Sequence, residues 1–170
     1  MSFLRSLLRV CLLALMTGCA GYQLGPTGGQ RAGEKSLQIV PFVNRTPEMR
    51  LGDAVTAAVR KELQRDGTLR LVTREPGDIV ITGTLIRYER REVSLVPNDV
   101  ATARDYSLSL TAQVTARERN SGKVLFDQPV TSLTLVRVGP DLPSTERQAL
   151  PLLATELARR ITALAADGSW

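Results

Sequence analysis

The sequence predicts a two-layer α+β domain, in which two helices pack on one face of a mixed, mostly antiparallel sheet of about four to five strands. Two observations support this fold class. Each of the two helical segments has one apolar stripe, so each needs a partner on one side only. The pattern over residues 106–117 alternates strictly between apolar and small polar side chains, so one face of the sheet should be covered and the other polar.

The domain is expected to begin with a strand followed by a helix. Leu37–Val43 are predicted to form the strand, and Pro41 marks an edge, a bulge or the strand's end because proline has no amide N–H. The helix should run from about Glu48 to Asp66, with Thr46 as its N-cap and Gly67 at its C-cap. Its apolar stripe consists of Leu51, Val55, Ala58, Val59 and Leu63.

Three further strands are expected in the middle of the chain. Leu69–Val72 are short, and Ile79–Tyr88 are longer, with Gly83 marking either a bulge or a close backbone approach. Tyr106–Arg117 alternate, and Glu89–Asp105 before them are predicted to be a long loop, of the kind that is often functional or mobile. The polar side of the alternating strand carries Ser107, Ser109, Thr111, Gln113 and Thr115.

A hairpin and a second helix complete the predicted domain. Asn120–Gly122 have turn composition, and the strand from Lys123 to about Val138 should return beside its predecessor, with Pro129 as a break or bulge. Ser144 is expected to cap the last helix, and Pro151 should either start or kink it. The apolar stripe of this helix consists of Leu150, Leu153, Ala154, Leu157, Ala158, Ile161 and Leu164.

The amino-terminal residues have the pattern of a secretory signal. Arg5 and Arg9 precede an apolar run of about ten residues, which is shorter than the roughly 20 that a membrane-spanning helix needs. The run ends in Thr17-Gly18-Cys19, which resembles the lipobox of bacterial lipoproteins, with Met16 where leucine is usual. The chain then divides into a signal peptide (1–18), a lipidated Gly-rich tether (19–36), a single α+β domain (37–166) and a carboxyl-terminal tail (167–170).

The lipobox resemblance implies cleavage before Cys19, a diacylglycerol on its sulfur and a further acyl chain, typically palmitate, on its amine. Three chains would anchor the protein firmly, because each buried CH₂ contributes about 0.8 kcal/mol. The residue after Cys19 is Ala20 rather than aspartate, which by resemblance to known sorting rules favours the periplasmic face of the outer membrane. The alternatives are an ordinary signal peptide with an unmodified Cys19, or a buried amino-terminal helix.

Composition argues against an enzyme. The chain has no histidine, and its two cysteines are Cys11 in the signal and Cys19, which leaves no thiol for a disulfide, a zinc site or a nucleophile. We therefore expect no cofactor or metal apart from the covalent lipid. After residue 18 the chain has 20 Lys and Arg against 17 Asp and Glu, a net charge of +3 with both signs interspersed, so a nucleic-acid partner is not expected.

Five segments, in this order behind the lipobox, resemble the LptE family of lipopolysaccharide-assembly lipoproteins. They are Gly18–Leu24, Ile39–Thr46, Arg60–Leu63 at the end of a helix, Asp78–Leu85 and Gly122–Phe126. The resemblance implies an LptE-like fold and a non-enzymatic subunit of the outer-membrane lipopolysaccharide translocon. Such a subunit plugs the LptD β-barrel, assists its assembly and binds lipopolysaccharide. The alternative is another periplasm-facing lipoprotein of a secretion or Tol-type complex, similar to the curli-secretion or TolB amino-terminal domains.

Under the LptE resemblance, two surfaces become candidate sites. The polar strand face described above would meet the wet interior of the barrel, or alternatively only water. A lipopolysaccharide site needs cations for phosphates and an apolar strip for acyl chains. Arg90, Arg91 and Arg104 meet the first requirement, beside Val93, Leu95 and Val96, although a solvated loop is the alternative because Glu89, Glu92 and Asp105 dilute the charge.

Overall fold

A six-stranded mixed sheet covered on one face by two helices forms the domain, in a computed structural model that describes residues 33–96, 99–137 and 141–167. Its elements are β1 (Ser36–Ile39), β2 (Val43–Asn44), α1 (Leu51–Asp66), β3 (Arg70–Val72), β4 (Ile79–Val96), β5 (Asp99–Glu118), β6 (Val124–Arg137) and α2 (Leu142–Asp167). The two-layer α+β fold is confirmed, with slightly more strands than expected.

The sheet combines a small parallel half with a long antiparallel half. Its order is β3-β1-β4-β5-β6, and β2 also pairs with β4. β1 is parallel to β3 and β4, whereas β4, β5 and β6 form an antiparallel meander. The meander continues well beyond the end of β2, whose last residue, Asn44, pairs with Leu85.

The core lies between the helices and the inner face of the sheet. The predicted stripes of both helices are buried, apart from Ala58 and Leu164, which are partly buried against the core. The apolar side of β5 is buried from Leu108 to Ala116, as its alternation predicts, whereas Tyr106 is only partly buried. The largest fully buried side chains are Leu37, Leu51, Leu63, Ile79, Ile81, Leu85, Leu108, Leu110, Leu153, Leu157, Ile161 and Val55.

The start of α1 differs from the prediction. The helix begins at Leu51, and Thr46 is not its N-cap, because the preceding turn is organised by the side chain of Asn44 instead. Asn44 accepts a hydrogen bond from the Thr46 hydroxyl at 2.8 Å and donates one to the Glu48 carbonyl, also at 2.8 Å. The end is as predicted, since Gly67 adopts the left-handed conformation (φ +72°) that favours glycine.

The predicted loop from Glu89 to Asp105 is wrong, because most of it belongs to two paired strands. β4 continues to Val96 and β5 starts at Asp99, with pairing between them up to the last residues of each. The pairing is regular up to Glu92 and irregular beyond it. The composition of Arg90–Val93 resembled that of a loop because these four side chains are exposed.

Pro129, Ser144 and Pro151 also differ from the predictions made for them. Pro129 pairs with Gln113 without any register shift, because β6 is an edge strand on which a missing N–H can face away from the sheet. α2 begins at Leu142, so Ser144 lies within its first turn and does not cap it. Pro151 neither starts nor interrupts α2; its side chain lies on the exposed face of a continuous helix.

The segment between β1 and β2 packs against the sheet through a close contact between Phe42 and Gly83 of β4. Phe42 is only 6% exposed, and its amide donates to the Thr56 hydroxyl at 3.0 Å. Its ring occupies the space in which a β-carbon at Gly83 would stand. Gly83 is therefore approached closely by a side-chain ring rather than by another backbone segment, and the nearest register shift lies between Leu85 and Arg87.

Replacing Gly83 by alanine should destabilise the domain by about 1–3 kcal/mol, because the new methyl group overlaps a buried ring. Urea unfolding of Gly83→Ala, Phe42→Leu and the double variant would measure this. The smaller leucine side chain leaves room for the methyl group, so we expect Gly83→Ala to cost less in the Phe42→Leu background. Strictly additive losses would contradict the contact.

Candidate functional site

The face of the sheet opposite the helices is uncovered in the described part of the chain. On β5 it presents the predicted row Ser107, Ser109, Thr111, Gln113 and Thr115, and all five residues are partly buried. The neighbouring strands extend the face on both sides, with residues such as Thr84 on β4 and Thr131 on β6 paired directly with this row. We call this surface the outer face.

Hydrogen bonds between side chains organise the middle of the outer face. The hydroxyls of Thr111 and Thr131 lie 3.0 Å apart across β5 and β6. Asp127 accepts from the Gln113 amide at 2.5 Å and from the Thr115 hydroxyl at 3.1 Å. The hydroxyl and amide groups of this network can both donate and accept, whereas the Asp127 carboxylate only accepts, and polar groups of these kinds suit a hydrated contact.

A β-bulge at Ile86 exchanges the two faces of β4. Before it, Leu85 pairs with Ala112 and faces the helices; after it, Arg87 pairs with Thr111 and lies on the outer face. The alternation then continues, so that Arg91 pairs with Ser107 on the outer face while Arg90 pairs with Leu108 on the helix side. The two neighbouring arginines therefore project from opposite faces of the sheet.

The part of the outer face nearest the turn between β4 and β5 is amphipathic, and we call it the trough. Ser107 and Ser109 of β5 form its floor. One wall, on β4, is charged: Arg87 and Arg91 lie 3.9 and 3.5 Å from opposite oxygens of the single carboxylate of Glu89. The other wall, on β6, is apolar. It consists of Leu133 and Leu135, which are 54% and 67% exposed and pair with Ser109 and Ser107. At the end of the trough nearest the turn between β4 and β5, the Arg137 guanidinium group lies 3.2 Å from the Asp105 carboxylate.

Arg90 belongs to a different cluster, on the helix side. Its guanidinium group contacts the Glu146 carboxylate of α2 at 3.0 Å and lies 5.5 Å from the centre of the Tyr106 ring. The Tyr88 hydroxyl donates to the other oxygen of Glu146. Burial, followed by this hydrogen bond, raises the pKa of Tyr88 well above its usual range. The cluster ties the extended β4–β5 hairpin to the beginning of α2.

A second carboxylate is held at the opposite end of the sheet, where β1 and β4 begin. Asp78 accepts from the Ser36 hydroxyl at 2.6 Å and from the Ser36 amide at 2.9 Å. The hydrogen bond from the side chain and then that from the backbone hold the pKa of Asp78 below its usual value. Arg119 binds the adjacent Gly77 carbonyl at 2.9 Å, so this corner serves to join strands.

The predicted site residues are described to different extents, and those whose side chains are described lie on opposite faces of the sheet. Cys19 lies outside the described residues, and for Arg104 only the backbone, within β5, is described. Arg90 and Arg91 are separated by the sheet. The charged wall at Arg87 and the apolar wall at Leu133 and Leu135 were missed, although the alternation within residues 131–137 was a signal that could have identified the apolar wall.

The described residues contain no group of acidic, cysteine or histidine side chains that could hold a metal ion. Over the same residues, neither helix is both long and apolar enough to cross a membrane. These two findings concern only the ranges given above.

Comparison with solved structures shows a shared fold at low sequence identity. Protein XCC0632 from Xanthomonas campestris matches with a TM-score of 0.61 at 10% identity, over 85% of this chain and 90% of that one. The hypothetical protein CT253 from Chlamydia trachomatis gives 0.57 at 12% identity, over 78% and 96%. The PelC dodecamer from Paraburkholderia phytofirmans gives 0.52 at 15% identity, over 84% and 94%.

Sequence comparison identifies the family. No curated protein matches the chain significantly. The family model for LptE, described as lipopolysaccharide assembly, matches residues 34–164, from just before β1 to near the end of α2. Because that match covers most of the chain, the protein belongs to the LptE family of lipopolysaccharide-assembly lipoproteins.

The stability of the domain should fall more steeply in alkaline solution when Tyr88 is present. Its pKa is raised on folding, so its contribution is fully present below the unfolded value near pH 10 and is lost as the pH rises above it, toward the folded pKa. Urea unfolding of the wild-type protein and Tyr88→Phe between about pH 8 and pH 11 measures the difference. The wild type should lose more stability than the variant; parallel curves would contradict the buried hydrogen bond.

Proposed function

We propose that the protein is the lipid-anchored subunit of the outer-membrane lipopolysaccharide translocon. In this role it plugs an LptD-type β-barrel, assists its assembly and binds lipopolysaccharide during insertion into the outer leaflet. Membership of the LptE family supports the class of function, which is lipopolysaccharide assembly by a non-enzymatic lipoprotein. The anchor, the barrel and the ligand are proposals supported by the sequence and by the geometry described above.

The anchor is assigned to Cys19, with acyl chains on its sulfur and amine. The lipobox resemblance of Thr17-Gly18-Cys19 supports this modification, and Ala20 supports sorting to the periplasmic face of the outer membrane. Three acyl chains retain a protein at the membrane without further contacts.

One observation carries the plug proposal: over the described residues the outer face is an extended, uncovered surface, and its central row on β5 is polar and uncharged. The central row on β5 holds only serine, threonine and glutamine between residues 107 and 115. The interior of a transmembrane β-barrel is itself polar and hydrated. Hydroxyl and amide groups that both donate and accept can pair with such a surface directly or through water.

The trough on the same face supports the ligand proposal. Among the described side chains, Arg87 and Arg91 share one carboxylate within salt-bridge distance, that of Glu89, so the charged wall retains capacity for an anion. The opposite wall, Leu133 and Leu135, offers exposed apolar area for an acyl chain. Lipopolysaccharide carries both phosphate and acyl groups. Of the predicted residues Arg90, Arg91 and Arg104, this geometry favours Arg91.

Purification of the lipidated protein from its own outer membrane in mild detergent tests the main proposal. We expect a large β-barrel protein of the LptD type to accompany it in stoichiometric amount. A Cys19→Ala chain, which cannot be lipidated, controls for proteins that merely share the membrane. Recovery of a secretion pore or a Tol component instead of the barrel would contradict the translocon proposal and favour the alternative class of envelope lipoprotein.

The triple variant Arg90→Ser, Arg91→Ser, Arg104→Ser should bind lipopolysaccharide about tenfold more weakly than the wild type. The reason is that a charge-assisted hydrogen bond contributes about 1.5–3 kcal/mol. Calorimetric titration of the purified protein would measure this, and high salt should reduce the difference. Arg91→Ser alone should account for most of the loss. Arg90→Ser should have less effect because Glu146 and Tyr106 already hold that side chain.

The matched control is Arg147→Ser, which removes an exposed cation on α2, away from the outer face. Leu135→Ser tests the apolar wall and should also weaken binding. Equal binding by Arg91→Ser, Leu135→Ser and Arg147→Ser would contradict the assignment of the trough.

A further inference from the structure

The sheet has a long edge on β6 that no other strand covers in the described part of the chain. β6 pairs with β5 on one side and is the last strand of the sheet on the other. A free edge of this kind presents unpaired N–H and C=O groups, to which an extended segment can add as a further strand. The backbone groups that face outward, and the side chains beside them, determine which segment fits.

The pairing within the sheet determines which backbone groups of β6 face outward. The Leu85 carbonyl accepts a hydrogen bond from the Arg45 amide at 3.0 Å, so at this residue β4 directs its backbone groups away from β5. Ala112 of β5, which lies opposite Leu85, therefore directs its own groups toward β6, where it pairs with Val130. The register of β6 is regular from there to its end, so residues 131, 133, 135 and 137 direct their N–H and C=O groups to the free edge.

This free edge has little of the protection that edge strands usually carry. Pro129 blunts only its beginning, where the missing N–H would face outward. Between Pro129 and Arg137 the strand reads Val-Thr-Ser-Leu-Thr-Leu-Val, with no charge and no further proline. By contrast, the part of β4 that extends beyond β2 is charged at every residue from 87 to 92 except Tyr88. The sheet therefore leaves the edge of β6 open to pairing and protects that of β4 with charge.

The uncharged stretch of β6 is self-complementary in an antiparallel pair. When two copies are aligned on Thr134, Leu133 of each copy lies directly opposite Leu135 of the other, and the outward-facing backbone groups of both strands meet. A shift of two residues in one direction would place Pro129 opposite Arg137 and lose a hydrogen bond. The opposite shift would place Leu133 opposite Arg137. The alignment on Thr134 is therefore the one that pairs leucine with leucine.

We propose that two copies of the chain associate through the free edge of β6, in an antiparallel pair centred on Thr134 that joins the two sheets. Leu133 and Leu135, which are 54% and 67% exposed in the single chain, then form cross-strand apolar pairs on the outer face. A second copy fits this edge because a two-fold pair sets like residues near one another, and the stretch has no charge to repel its own image. The arrangement uses both free edges of β6, so association stops at two copies.

Sedimentation velocity of the purified full chain in mild detergent tests the pairing, over about 1–200 μM to cover weak dissociation constants. We expect a shift from one copy to two as the concentration rises. Leu133→Lys and Leu135→Lys should each raise the dissociation constant at least about tenfold, because each places a charge among the paired leucines. A wild-type protein that sediments as a single copy at every concentration would overturn the proposal.

The matched control is Val43→Lys, because Val43 is also 54% exposed and lies on the outer face of β2, away from the edge of β6. This variant should associate like the wild type. Equal weakening by Val43→Lys and Leu133→Lys would overturn the proposal, since it would show that any added charge on the outer face prevents association. The sedimentation experiment contains neither barrel nor lipopolysaccharide, so its failure leaves the translocon proposal unaffected.

A photoreactive amino acid at Leu135 identifies the occupant of the edge in intact cells. We expect a crosslink to the segment around Leu133 in a second copy, recognised by producing copies with and without an affinity tag in the same cells. Crosslinks from Leu135 to a different protein alone would overturn the self-pairing and assign the edge to a strand of that protein.

Discussion

The antiparallel ladder between β4 and β5 is the constraint on which the rest of the structure depends. It extends over almost the full length of both strands, from the pair Ile79–Glu118 to the pair Val96–Asp99. β1, β2 and β6 attach to its two sides, and α2 packs over β5 and β6. Because side chains alternate along a strand, the burial of Leu108, Leu110 and Ala112 on one side places the polar row on the other. One face therefore holds the core, and the other is the polar surface that we propose contacts the barrel.

One additional residue in this ladder, Ile86, determines which arginine side chains of β4 lie on the outer face. The bulge at Ile86 moves the odd-numbered residues of β4 from the helix side to the outer face. As a result Arg87 and Arg91 stand beside the apolar wall of β6, while Arg90 is drawn into the cluster with Glu146 and Tyr106. The same bulge therefore separates a surface suited to an amphipathic ligand from a contact that holds the hairpin against α2.

The sequence was informative where one face of an element is buried. The stripes of α1 and α2 and the alternation of residues 106–117 predicted both layers, because burial imposes a regular period on such segments. It failed for residues 89–105; from Arg90 to Val93, where exposure is described, consecutive side chains on both faces reach solvent, so no period of burial marks the strand. Which of the neighbours Arg90 and Arg91 lies on the outer face could not be predicted, since the bulge that decides it leaves little trace in the residues that form it.

We propose that the outer face, rather than the helix layer, contacts the barrel. Photocrosslinking in intact cells tests this most directly, with a photoreactive amino acid placed at Ser109 or Thr111 on the outer face and at Leu152, which is 64% exposed on α2. The account predicts crosslinks from Ser109 and Thr111 to a large outer-membrane β-barrel protein. Crosslinks from Leu152 with none from Ser109 or Thr111 would contradict it, because the outer face would then meet only water.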